Sequence, residues 1–145
     1  MARKTVQFAH TGAVSPQLKG GVVAIGNFDG IHRGHRAVLD CALEEARRYG
    51  CAALALTFEP HPRTFFRPEN PVFRLTPPPL KRKLLAELGF DAVVEQRFDA
   101  QFAAQSAHDF IAANLLADLG ATHVVAGHDF HFGKGREGTP DFLKA

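Results

Sequence analysis

Gly26-Asn27-Phe28-Asp29-Gly30-Ile31-His32-Arg33-Gly34-His35 joins an apolar tetrapeptide to an amphipathic run, and what this stretch asks of the backbone sets the architecture. Upstream of it, Val22-Val23-Ala24-Ile25 reads as a strand buried on both faces, with the first strand extending over residues 22–27. Gly26, Gly30 and Gly34 let the chain turn sharply. Beyond the turn the spacing becomes helical: Val38, Leu39, Ala42, Leu43 and Ala46 share one face of a helix over residues 35–49, and Gly50 is placed to stop it. A helix N-terminus presents unpaired N–H groups and the positive end of the peptide dipoles, which suits a phosphate. His32 and His35, three apart, project from about the same side of that first turn, where both can donate hydrogen bonds to an anion.

Working outward, strand-like and helix-like segments alternate, the pattern of a parallel sheet with crossover helices. A second strand is expected over residues 51–58. A helix starting near Pro79 presents Leu80, Leu84, Leu85 and Leu88 before Gly89, and Ala92 to Phe98 reads as the third strand. Ser106 followed by Asp109 resembles a capping box that opens a helix burying Phe110, Ile111 and Leu115 and ending at Gly120. His123 to Gly127 is the fourth strand. Thr139-Pro140-Asp141-Phe142-Leu143 reads as an N-cap, a proline at the first helical position and the start of an apolar face. That helix has barely begun at Ala145, so the chain is expected to be a fragment of a longer polypeptide.

The 145 residues are 46% hydrophobic and 22% charged, the make-up of one globular domain able to bury a sizeable core. A net charge of +2 gives no electrostatic case for nucleic acid as a partner. Arg63, Arg67, Arg74, Lys81, Arg82 and Lys83 nevertheless stand against Glu69 alone in residues 63–83, a segment that suits phosphorylated small molecules or a solvated charged face. No apolar run has signal-peptide or membrane-spanning length, so a cytoplasmic protein without a membrane partner is expected. Cys41 and Cys51 fit no zinc or redox spacing.

Two further stretches carry candidate chemistry. Thr57-Phe58-Glu59-Pro60-His61-Pro62-Arg63-Thr64-Phe65-Phe66 leaves the second strand, with prolines that stiffen a loop and rings suited to a planar ligand. Gly127-His128-Asp129-Phe130-His131-Phe132-Gly133-Lys134-Gly135-Arg136 leaves the fourth strand, glycine-rich and basic, able to wrap phosphates with backbone N–H groups and cationic side chains. His32/His35 and His128/His131 both have H-x-x-H spacing, which also admits a zinc hydrolase; the glycines and basic residues around both pairs favour an anion instead.

These blocks, in this order, resemble the FMN adenylyltransferase (FAD synthetase) module of bacterial bifunctional riboflavin kinase/FAD synthetases, of the H-x-G-H nucleotidyltransferase superfamily. The resemblance implies a Rossmann-like, doubly wound parallel α/β sheet of the nucleotidyltransferase type, with the four strands ordered 3-2-1-4. The loops after strands one and four then face each other at the point where the order reverses. It also implies adenylyl transfer from ATP to FMN, with Mg²⁺ accompanying ATP, and His32 and His35 as the catalytic pair. Asn27, Phe28, Asp29, Gly30, Gly34, Gly127, Asp129, Lys134 and Arg136 are carried over as ATP and phosphate contacts. Phe58, Pro60, Pro62, Phe66 and again Asp129 are carried over as flavin contacts.

Asp29 also stands before a glycine, where a turn-forming aspartate is ordinary, and His131 occupies a position where the family often has arginine. The family's module continues with a further strand and a phosphate-binding motif, followed by a covalently linked riboflavin kinase domain. Residues 1–145 are therefore expected to be a C-terminally incomplete FAD synthetase domain without that kinase domain. Two other readings stay open: a non-catalytic flavin- or nucleotide-binding fragment, and an H-x-G-H nucleotidyltransferase acting on another phosphorylated substrate.

Overall fold

In the computed structural model, the described residues are 6–8, 10–14, 18–26, 33–59 and 78–126, with the side chains of 6, 33–35, 59 and 78–81 set aside. They form a five-stranded, all-parallel sheet in the order β1-β4-β3-β2-β5. The strands are β1 (Val6–Phe8), β2 (Val22–Ile25), β3 (Ala53–Glu59), β4 (Ala92–Arg97) and β5 (His123–Ala126). Helix α1 (Arg33–Tyr49) crosses from β2 to β3, and α2 (Pro78–Leu88) precedes β4. Between β4 and β5 come a four-residue helix α3 (Ala100–Ala103) and then α4 (Ala107–Asp109), which continues as a π-wound segment, Phe110–Asp118.

The four strands read from the sequence keep the expected 3-2-1-4 order, as β4-β3-β2-β5. The fifth, β1, was not expected. It is three residues long and pairs with β4, Val6 opposite Ala92 and Phe8 opposite Val94. So short a run carries no periodicity of its own, and pairing with a strand about 85 residues away defines it. The expected boundaries shift slightly: β3 begins at Ala53 and reaches Glu59, β4 stops at Arg97, and α1 begins at Arg33.

Val22, Val23, Ala24 and Ile25 are all buried, at 1% exposure or less, because the sheet is covered on both faces and a central parallel strand has no polar side. Under α1 and α2 lie Val22, Ala24, Ala53, Ala55 and Val93 with Leu39, Ala42, Ala46, Leu85 and Phe90. On the opposite face Val23, Ile25, Leu54, Leu56, Phe58 and Val94 pack with Phe110, Leu115 and Leu119. Gly50 closes α1 at φ +64°, a left-handed conformation natural to the residue after a helix. Gly21 is required for another reason: a Cβ there would lie 2.3 Å from the carbonyl oxygen of Ala52, where β2 begins beside β3.

Ser106 caps α4 as expected, its hydroxyl accepting from the amide of Asp109 at 3.1 Å. Phe110 and Leu115 are buried, and Ile111 is partly so. The winding differs from the expected α-helix. The Leu119 amide donates to the carbonyl of Asn114, five residues back, the wider pattern of a π-helix.

Candidate active site at the carboxyl edge of the sheet

In parallel sheets, ligands bind outside the carboxyl ends of the strands where the strand order reverses. Here that point is β2, which has β3 on one side and β5 on the other. Ile25 lies opposite both Leu56 and Ala126, so β2 and β5 end level. The Gly26 amide donates to the Leu56 carbonyl at 3.1 Å, which keeps the turn after β2 against β3. β3 runs three residues further, through Thr57 and Phe58 to Glu59.

All three motif stretches therefore leave neighbouring strands at one edge. From Gly26 only residues 27–32 separate the sheet from the first turn of α1. Because α1 connects two parallel strands, its N-terminus lies at that same edge, and a helix N-terminus is where backbone N–H groups can meet an anion. Gly34 and the backbone of His35 belong to this first turn. Asn27, Phe28, Asp29, Gly30, His32, Pro60, Pro62, Phe66, Gly127, Asp129, Lys134 and Arg136 lie outside the described residues, as does the His35 side chain. The zinc reading falls outside with them, through His32, His128 and His131; among the described residues no group of three potential ligands is placed to hold a metal ion. No helix among the described residues is long and apolar enough to cross a membrane.

Phe58 is the one carried-over side chain that the structure describes. It is 4% exposed and packs on three rings, Phe98 edge-on at 6.2 Å, Phe102 at 5.8 Å and Phe110 at 6.5 Å between centroids. Phe98 and Phe102 meet at 5.6 Å, and Phe102 and Phe110 at 5.9 Å, both near edge-to-face, the arrangement that ring quadrupoles favour. Phe58 is thus part of a ring cluster just before β3 ends at Glu59.

Beside this cluster lies a polar network that sequence reading did not find. Asn114 is 8% exposed and Thr11 is 1% exposed. The Asn114 side-chain amide donates to the Thr11 hydroxyl at 2.7 Å, and that hydroxyl donates to Asp118 at 2.6 Å. Gln105 donates to the Asn114 oxygen at 2.9 Å, and the Thr11 amide donates to Gln96 at 3.0 Å. The available signal was Asn114 itself, a polar residue on the apolar run from Phe110 to Leu119, where burial demands a partner.

The family model for FAD synthetase matches residues 14–145. A bifunctional riboflavin kinase/FMN adenylyltransferase of Escherichia coli K12 is 43% identical over 140 residues, which cover 97% of this chain and 44% of that protein. A putative bifunctional riboflavin kinase/FMN adenylyltransferase of Geobacillus thermodenitrificans is 40% identical over 127 residues, 88% of this chain and 68% of its own length. The chain thus spans less than half of the E. coli relative. Among solved structures, one titled as a macrolide-efflux protein from Streptococcus pneumoniae superposes with a TM-score of 0.83 at 27% identity, over 97% of this chain and 46% of that one.

Proposed function

This chain belongs to the FAD synthetase family, and we propose that it transfers the adenylyl group of ATP to FMN, giving FAD and pyrophosphate. The observation that supports the reading is the level ending of β2 and β5 at the reversal point, with α1 beginning at Arg33 soon after β2. The H-x-G-H stretch and the glycine-rich basic stretch follow these two strands in the sequence. A phosphate oxygen of FMN attacks the α-phosphorus; the new O–P bond forms as the bond to pyrophosphate breaks, and pyrophosphate leaves with the electron pair. The nucleophile is already an anion, so the protein's task is to align two repelling phosphates and offset charge growing on the bridging oxygen. His32 and His35 donate hydrogen bonds there, together with N–H groups of the α1 first turn, Lys134 and Arg136. Asp29 would be the residue of this chain to hold a magnesium ion brought with ATP, and that ion would offset charge on the phosphate oxygens.

The stretch from Glu59, through Pro60, Pro62 and Phe66, is the flavin side of the site, and it follows Phe58 directly in sequence. We place the protein in the cytoplasm and read residues 1–145 as part of a FAD synthetase domain followed in the parent chain by riboflavin kinase. The test is FAD and pyrophosphate formation from ATP and FMN by the full-length protein. Replacing His35 with Ala is expected to lower kcat about 10²–10³-fold, the scale of one lost transition-state donor. Unaltered turnover in that variant removes the histidine from the mechanism. Phe66→Ala is expected to weaken FMN binding by about 1–3 kcal/mol and leave ATP affinity unchanged.

A further inference from the structure

We propose that Thr11 is a positioning residue for the flavin side of the site, acting through a buried polar clamp that sets the ring cluster under Phe58. The proposal rests on the reading of the loop from Glu59 as the flavin loop. Thr11 is far from that loop in sequence, yet its backbone and side chain hold two elements that flank Phe58. One route runs through β4: the Thr11 amide donates to Gln96, and Gln96 in turn donates to the carbonyl of Arg97 at 3.2 Å. The next residue is Phe98, whose ring stands edge-on to Phe58. Phe58 and Gln96 are themselves opposite each other across the β3–β4 pair.

The second route runs through the π-wound segment. The Thr11 hydroxyl bridges Asn114 and Asp118, four residues apart, and the same segment carries Phe110, whose ring packs on Phe58. Asn114 accepts from Gln105 at its amide oxygen and donates through its NH₂ to Thr11, so the threonine ties both into one network. The clamp lies on the face opposite α1, whose N-terminus serves the nucleotide side. Disturbing it should therefore be felt by FMN and not by ATP.

Thr11→Val keeps the side chain's shape and removes the hydroxyl, and Thr11→Ser keeps the hydroxyl. In the full-length protein, Thr11→Val is expected to raise KM for FMN about tenfold, the scale of coupling within one hydrogen-bonded network, with kcat and KM for ATP unchanged and with Thr11→Ser restoring wild-type values. Gln96→Met cuts only the β4 route and decides the question should Thr11→Val fail to fold; the same FMN-selective rise is expected. Unchanged KM for FMN in the folded variant, or equal rises for both substrates, overturns the proposal. FMN affinity read from quenching of flavin fluorescence distinguishes the clamp from the adenylyltransferase activity. Wild-type protein that binds FMN without forming FAD sinks the adenylyltransferase reading alone, a Thr11→Val affinity equal to wild type sinks the clamp, and wild-type protein that binds no FMN sinks both.

Discussion

The two faces of the sheet are built from the same strands by different means. Under α1 and α2 the strand residues are mostly small, Ala24, Ala53 and Ala55, and the helix above contributes Ala42 and Ala46 beside Leu39. Small side chains on both sides let the helix axis approach the sheet closely, and the partners are mainly those the helical period already selects. The opposite face carries Val23, Ile25, Leu54, Leu56 and Phe58, larger residues packed beneath a short helix and a π-wound segment. Its order depends on bonds between distant parts of the chain, Thr11 with Asn114 and Asp118 across 103 and 107 residues and with Gln96 across 85. Small-on-small packing yields a face fixed by local pattern, whereas large-on-large packing leaves gaps and angles that rings and a polar network must settle.

The strongest way to break this contrast is Phe58→Ala. Removing a ring that is 4% exposed and packed on three others is expected to cost about 3–5 kcal/mol in chemical denaturation. A loss below about 1 kcal/mol would mean the rings adapt and the cluster is not what orders that face. Ala55→Leu probes the other face. Ala55 is fully buried beneath the helices, so a larger side chain forces α1 off the sheet, at about 1–3 kcal/mol. A neutral result would show that the close approach is not required.

Smaller effects sharpen the comparison. Ser106→Ala removes the hydroxyl that accepts from Asp109, and a loss of about 1 kcal/mol, read as a shift in thermal midpoint, would confirm that the helix on the ring face still depends on its cap. Arg36→Ala breaks an α1 ion pair with Asp40 whose partners are 55% and 56% exposed. Its cost should stay under about 0.5 kcal/mol and vanish in salt. A larger effect would show that α1 draws stability from its solvent side as well as from packing.

The local pattern made most of the α1 face legible. The apolar run Val22–Ile25, the period of Val38 through Ala46, and Gly50 as a stop each act within a few residues, and each recurs in the structure. Of the candidate site, what was legible is that its motifs follow strands. Two of those strands, β2 and β5, end level with each other. Phe58 marks the limit: its sequence position beside the proline-rich loop suggested a ligand wall, and its surroundings, Phe98, Phe102 and Phe110, come from β4 onward.

By itself the sequence determined four of the five strands among the described residues, the helices that cross between them with their glycine stops, and that the motif-bearing stretches follow strands. Periodicity, caps and glycine stops are interactions between near neighbours and need no partner to be read. Only the tertiary structure decided that Val6–Phe8 is a strand, that Phe110–Asp118 winds as a π-helix, and that Thr11 belongs with Asn114. A three-residue edge strand gains its hydrogen bonds from β4, and a buried amide takes whichever hydroxyl the fold brings to it. Such pairings span about a hundred residues, and their energies exist only once the chain has closed on itself.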